Sequence, residues 1–401
     1  MAKACPTPQP LRMVVGSVVL MTMMFMATFV ARFVFSPLLP AMEKDPDFAI
    51  NPSQAGTLFL IAAVGSLIGS FVAGFLSARA NHRGTLLISM FGIAVALVGA
   101  YFSTSVWTLA VVFLVMGILF GIHLPSSVAT ITATVRREDW GKALSIQQLG
   151  PPLSLVVSPL LAVLLLTWFS WNATLLWIAG LCAILGLAFF FFLGGVGAFP
   201  GDPPNKAFVG PVLRTRSFWV MILLFALGMG AQVGVYTMLP LYLTTERDMS
   251  PDGANTLLGL ANIAPVVTVF LAGWLTTRIG EKRMIGIALF LTGIMTVLVG
   301  VTSGVALKVC IVLMAGLAVC FFPAAFAALS RIVQPTYRSL ATAFCTPTAF
   351  LIGGGLLPVV LGYVGQAASF SLGIIIVGGV VALGSIAALL LSLLTDLEEG
   401  C

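Results

Sequence analysis

The sequence predicts an all-α integral membrane protein built as two similar halves of six spans each. Three observations predict it. Hydrophobic residues make up 60% of the 401 and charged residues only 8%, with a mean hydropathy of +1.12, whereas a soluble domain carries about a quarter charged residues. Apolar stretches of roughly 20 residues, the length that crosses a bilayer, follow one another between glycine, proline and charged punctuation. The second half of the chain also repeats the first at an offset of about 200 positions.

The spans are placed in order at 13–40, 54–78, 84–104, 107–133, 141–168 and 172–194, then at 217–245, 254–277, 284–303, 307–332, 340–363 and 367–394. The first apolar run, from about Leu11, is longer than the core of a secretory leader and has no small-residue cleavage site after it, so it is expected to stay as a helix. Between the halves, 195–216 holds Pro200, Gly201, Asp202, Pro203 and Pro204 and ends in Arg214 and Arg216. It is polar, stiff and unable to span. The expected organisation is a bundle at 1–194, a cytoplasmic linker at 195–216, and a second bundle with a short tail at 217–401.

The repeat is specific. Pro40 aligns with Pro240, and Ala55, Thr57, Leu58, Phe71, Ala73 and Gly74 align with Ala254, Thr256, Leu257, Phe270, Ala272 and Gly273. Pro125 likewise meets Pro323, and Pro159 meets Pro358. Two six-helix bundles around a central cavity are implied.

Charge sets the expected orientation. A net charge of +6 could suggest nucleic acid, but the basic residues cluster at the ends of apolar runs rather than along one face. With a cytoplasmic N-terminus, 15 of the 19 basic residues fall on inner segments, and only Lys44, Arg247 and Lys308 fall outside. Both termini are therefore expected inside. The six cysteines (Cys5, Cys182, Cys310, Cys320, Cys345 and Cys401) show no CxxC pair or regular spacing, so neither a disulfide framework nor a zinc site is indicated, and no cofactor is expected.

Two loops carry a family signature. Gly74-Phe75-Leu76-Ser77-Ala78-Arg79-Ala80-Asn81-His82-Arg83 follows the second span, and Gly273-Trp274-Leu275-Thr276-Thr277-Arg278-Ile279-Gly280-Glu281-Lys282-Arg283 follows the eighth. Both resemble the G-x-L-x-D-R-x-G-R-K loop of the major facilitator superfamily. Cations after a helix C-terminus complement the helix dipole, and glycine lets the turn close. The resemblance implies the major facilitator fold, two six-helix bundles related by a pseudo-two-fold axis, and a secondary carrier working by rocker-switch alternating access in a bacterial inner membrane. Gly74, Arg79, Arg83, Gly273, Arg278, Gly280 and Arg283 would be its conformational residues. The family's acidic residue is replaced by Ala78 and Thr277, which puts the usual charge relay in doubt. Gly141 and Gly150-Pro151 lack the later glycine pair of the antiporter signature, so antiport is not inferred.

Ionisable groups within spans are costly and therefore point to function. All 13 acidic residues fall in loops, tails or helix ends. Arg32 is the exception among the cations. It lies eight residues before Pro40, and its donors suit a carboxylate or phosphate, although a snorkelling role at the headgroups is the alternative. Its repeat partner is Gln232, with Tyr236 a turn further on. His123, two residues before Pro125, is the candidate for a coupling proton. Gln147, Gln148 and Asn262 are further cavity candidates, each of which could equally bond neighbouring helices. Gly65 and Gly69, and Gly353-Gly354-Gly355, permit close packing or bending.

The expected cargo is a small organic anion. The alternative is multidrug-type efflux of hydrophobic compounds, which suits 29 phenylalanines and 16 methionines but lacks a buried carboxylate for cations. An intramembrane enzyme has no metal cluster or nucleophile and base to work with, and a channel lacks charge rings. The protein is expected as a monomer in the lipid bilayer, without nucleic acid.

Overall fold

The computed structural model describes residues 8–46, 48, 50–201, 215–332 and 338–391. Lys3, Cys5, Cys401 and the middle of the expected linker, with Lys206 and Arg214, lie outside them. Among the described residues the regular elements are helices, and the β structure is one isolated bridge between Gln9 and Val135. Among the described residues eleven helices are long and apolar enough to cross a membrane: α1 (Leu11–Glu43), α2 (Pro52–Tyr101), α3 (Val106–Thr134), α4 (Arg137–Leu166), α5 (Trp171–Phe192), α6 (Arg216–Thr245), α7 (Pro251–Ile279), α8 (Glu281–Val301), α9 (Gly304–Arg331), α10 (Phe344–Ala367) and α11 (Phe370–Leu390).

The sequence called for twelve spans, and α2 accounts for the difference. It runs for 50 residues, about twice the length of a span, and its backbone leaves helical geometry at Asn81 (φ 57°, ψ 170°). The stretches 52–80 and 82–101 are therefore two spans joined without a loop. Asn81 is the repeat partner of Gly280, which has φ 83° and ψ 156° between α7 and α8. Both copies of the signature loop thus need one residue of positive φ, which costs Asn more than Gly.

The outward faces are apolar and aromatic. Trp107 and Trp168, near the ends of α3 and α4, are largely exposed, as interfacial tryptophans are, and Phe191, Phe192 and Val95 project outward. Buried contacts between helices use small residues. A Cβ on Gly65 would strike the Leu114 carbonyl and stand 3.1 Å from Gly117 Cα, and one on Gly69 would stand 3.0 Å from Gly121 Cα, so α2 and α3 touch backbone to backbone. Gly293 on Ala382 and Gly378 on Val297 bring α8 and α11 together in the same way.

Contacts divide the chain into two compact units, Met1–Phe48 with Ile61–Pro204, and Ala49–Leu60 with Asn205–Cys401. Residues 49–60, which the sequence assigned to the first half, thus group with the second unit. Each unit is tied at an equivalent corner. In the first, Trp171 Nε1 at the start of α5 donates to Asp45 Oδ2 at 2.5 Å. In the second, Glu246 accepts from the backbone N–H groups of Phe370 and Ser371 at the start of α11, a carboxylate at a helix N-terminus.

Candidate functional site

Each unit holds a small buried cavity, and the two are built from matching positions. In the first, α1, α2 and α3 contribute Thr28, Arg32, Phe35, Ala62, Met116 and Phe120 around a volume of about 20 Å³, room for one water. In the second, α6, α7 and α9 contribute Gln232, Tyr236, Leu239, Asn262, Met314 and Ala315 around about 10 Å³. Ala62 and Ala261, Phe113 and Ile311, Met116 and Met314, and Gly117 and Ala315 are repeat partners that line the two cavities. So are Arg32 and Gln232. The internal repeat therefore reproduces one cavity twice, with a guanidinium in one copy and an amide in the other.

Arg32 is buried, 8% exposed. Its Nη1 donates to Ser66 Oγ at 2.9 Å, and that hydroxyl donates onward to the Ala62 carbonyl at 3.0 Å. The guanidinium carbon stands 4.9 Å from the centroid of the Phe120 ring, within cation–π range. Gln232 sits in a widened helical turn, Gly230–Gly234, where α6 meets a second widened turn, Leu351–Leu356, of α10. A Cβ on Gly353 there would stand 3.1 Å from Gly230 Cα, so the triple glycine serves close approach. Asn262 lies where α7 breaks before Pro265 and donates to the Leu258 carbonyl at 2.8 Å.

His123 and Gln147 line neither cavity; each is buried elsewhere in the first unit. His123 is buried between Ser89, 3.1 Å from its Nδ1, and the Phe25 ring, which it stacks on at 5.9 Å. Gln147 Nε2 donates to Ser127 Oγ at 2.6 Å, one helical turn beyond His123 on α3.

The signature loops behave differently from each other. Arg83 donates to the carbonyls of Phe190, at 2.7 Å, and Gly194, and it stands 5.3 Å from the Phe190 ring. Its place after the second span predicts a role at that span's dipole; it caps the C-terminus of α5 instead. Residues 195–201 follow, docking onto this loop through Arg83 N–H to Gly197 at 2.7 Å and Gly201 N–H to Ser77 at 3.0 Å. In the second loop Arg278 lies over the Trp274 ring, and Glu281, opening α8, pairs with Arg331 at 2.7 Å. Arg79, Arg278 and Arg283 are exposed, and Gly74 and Gly273 are partly so.

Sequence reasoning missed Ser66, Ser89 and Ser127, the hydroxyls that receive Arg32, His123 and Gln147. It also missed Arg247, which bonds Tyr242 Oη at 2.8 Å and the Gly300 carbonyl at 2.8 Å.

The model of the Major Facilitator Superfamily matches residues 21–261 and 234–399. The chain belongs to the Major Facilitator Superfamily. Among relatives, the D-galactonate transporter of Escherichia coli O6:H1 is 21% identical over 387 residues, covering 86% of this chain and 88% of that protein. The gallate transporter of Pseudomonas putida is 24% identical over 64% of this chain and 65% of that one. The chloramphenicol resistance protein of Streptomyces lividans is 25% identical over 62% and 63%. The fold of this facilitator is similar to that of a bacterial homolog to the human lysosomal transporter Spinster, with a TM-score of 0.80 at 15% identity, covering 97% and 98% of the chains. It is equally similar to a POT family transporter solved with 5-aminolevulinic acid, with a TM-score of 0.80 at 13% identity over 93% and 95%. This facilitator is a multi-pass membrane transporter.

Proposed function

We propose that this facilitator carries a small organic anion by rocker-switch alternating access in the cell inner membrane, with both termini cytoplasmic. The observation that carries the reading is Arg32, a guanidinium buried in a cavity wall at a position whose repeat partner is the neutral Gln232. A fork of five donors matches a carboxylate, and the neighbouring Ser66 hydroxyl adds a further hydrogen-bonding group. Relatives named for D-galactonate and gallate, both acids, support the class. Gln232, Tyr236 and Asn262 are the neutral hydrogen-bonding residues of the second unit, and His123 and Gln147 those of the first. Each cavity holds no more than a water, so a cargo enters only once the helices around it part. The signature loops are the segments that move with them.

Efflux of hydrophobic compounds is the second reading. It is favoured by the aromatic walls of the Arg32 cavity, Phe35, Phe113 and Phe120, and by the chloramphenicol resistance relative.

Binding by thermal shift of the purified transporter separates the two, because a ligand of the folded state raises apparent stability. A set of carboxylates including D-galactonate and gallate is expected to stabilise it more than chloramphenicol does. Arg32→Gln is expected to weaken the binding carboxylate about 100-fold and Arg32→Lys about tenfold, since lysine keeps the charge and loses the fork. Wild-type carboxylate affinity in Arg32→Gln sinks the anion reading, and chloramphenicol binding untouched by that substitution supports efflux.

A further inference from the structure

The two matching cavities differ in more than the guanidinium. Phe35, Phe113 and Phe120 line the first, whereas their repeat partners are Val235, Ile311 and Ala318, none of them aromatic. Conversely, Tyr236 and Asn262 line the second, and their partners Ser36 and Ala63 do not line the first. The copy that carries the cation therefore also carries a wall of rings, and it surrounds that cation with fewer hydrogen-bonding side chains.

The polar groups that remain are largely committed. Apart from Arg32, the lining side chain with an oxygen is Thr28, and its Oγ1 donates to the Phe25 carbonyl at 2.7 Å. Ser66, bonded to Arg32, likewise gives its hydrogen to the Ala62 carbonyl. A hydroxyl has one hydrogen, so both can accept a further bond but not donate one. Among the described lining side chains, the donors open to a ligand are those of Arg32.

Carbon and one sulfur make up the rest of the wall. The Phe35 and Phe113 rings stand 4.6 Å apart at 59°, and Phe120, under the guanidinium, meets Phe29 edge-on at 4.7 Å. Met116 adds a thioether beside them. Ring faces, ring edges and a thioether are the contacts that an aromatic ligand makes well. A polyhydroxy acid fares worse. Thr28 can accept from one of its hydroxyls, and each further hydroxyl that gives up water without a partner weakens binding about tenfold. These side chains must part to admit a cargo, so their chemistry, and not the closed volume of about 20 Å³, decides what is admitted.

We propose that the first unit selects a monocarboxylate whose body is an aromatic or other apolar ring, with Arg32 gripping the carboxylate and Phe35, Phe113 and Phe120 covering the ring, and that it rejects polyhydroxy acids. The inference rests on the anion reading and adds the chemistry of the group next to the carboxylate.

Three probes of equal charge test it: benzoate, cyclohexanecarboxylate and D-gluconate, titrated calorimetrically into the purified full-length transporter. Benzoate and cyclohexanecarboxylate are expected to bind within about tenfold of each other, and D-gluconate at least about 100-fold more weakly than either, the effect of two unpaired hydroxyls. Phe113→Leu, which keeps the wall apolar and removes a ring, is expected to weaken benzoate about fivefold and to leave cyclohexanecarboxylate unchanged. Equal affinities for D-gluconate and benzoate, or an unchanged ratio of benzoate to cyclohexanecarboxylate in Phe113→Leu, overturn the inference while the anion reading stands. If none of the three binds, or Arg32→Gln binds benzoate like its parent, the anion reading itself fails and takes the inference with it. The comparison of D-gluconate with benzoate uses the unsubstituted protein, so it decides even if Phe113→Leu does not fold.

Discussion

At the scale of single residues, Asn81 shows what the fold demands of a position. Its φ of 57° with ψ near 170° belongs to a region that only glycine enters without strain, yet its Oδ1 accepts from Gly84 N–H at 2.8 Å and so starts the next helix. Strain of this kind costs about 1–3 kcal/mol, and losing a capping side chain to glycine costs only a few tenths. Asn81→Gly is therefore expected to raise the apparent melting temperature, while Asn81→Ala, which keeps the strain and loses the cap, is expected to lower it. Differential scanning fluorimetry of both variants checks this; a lower melting temperature in Asn81→Gly removes the strain argument. Arg32 and His123 were legible in the sequence because an ionisable group in an apolar run stands out. Their partners were not. Ser66, Ser89 and Ser127 look like any hydroxyl in a membrane helix, most of which bond their own backbone, and only tertiary packing selects the ones that face a guanidinium, an imidazole or an amide.

At the scale of helices, the contact of α2 with α3 rests on paired glycines, Gly65 with Gly117 and Gly69 with Gly121. The spacing of Gly65 and Gly69 was readable, but the partner helix was not, because a small-xxx-small stripe does not name its neighbour. A single methyl at Gly117 would strike the Ala62 carbonyl, and the obstacle is backbone, which cannot rotate away. Gly117→Ala is expected to destabilise the protein by about 2 kcal/mol, whereas alanine at Gly180, where nothing lies within 4 Å, is expected to be neutral. Equal melting curves for the two variants contradict backbone contact. The span boundaries also show where sequence reasoning stops. Apolar length located each crossing, but nothing in it revealed that 52–80 and 82–101 join through one residue, since a turn without polar punctuation leaves no compositional trace. Arg83 is a comparable case: a basic residue near a helix end signals a dipole, and which helix receives it depends on where α5 ends.

At the scale of the whole chain, the bias of basic residues predicts sidedness. Cysteine introduced at Arg137 is expected to react with an impermeant thiol reagent only from the cytoplasmic side, and cysteine at Asp248 only from the outside; labelling of the Arg137 site from outside reverses the orientation. The repeat made the architecture readable, because matching prolines and signature loops mark two copies of one plan. It did not reveal that each copy holds its own version of the same cavity, since the lining residues Met116 and Met314 are unremarkable until they are seen in place. That duplicated cavity has a genetic consequence. A symmetric dimer of identical six-span chains must present the same residue in both copies of a site, so it would hold two guanidinium groups or none. Fusion into one polypeptide releases that constraint, and Arg32 in the first half with the neutral Gln232 as its repeat counterpart in the second is what the release permits.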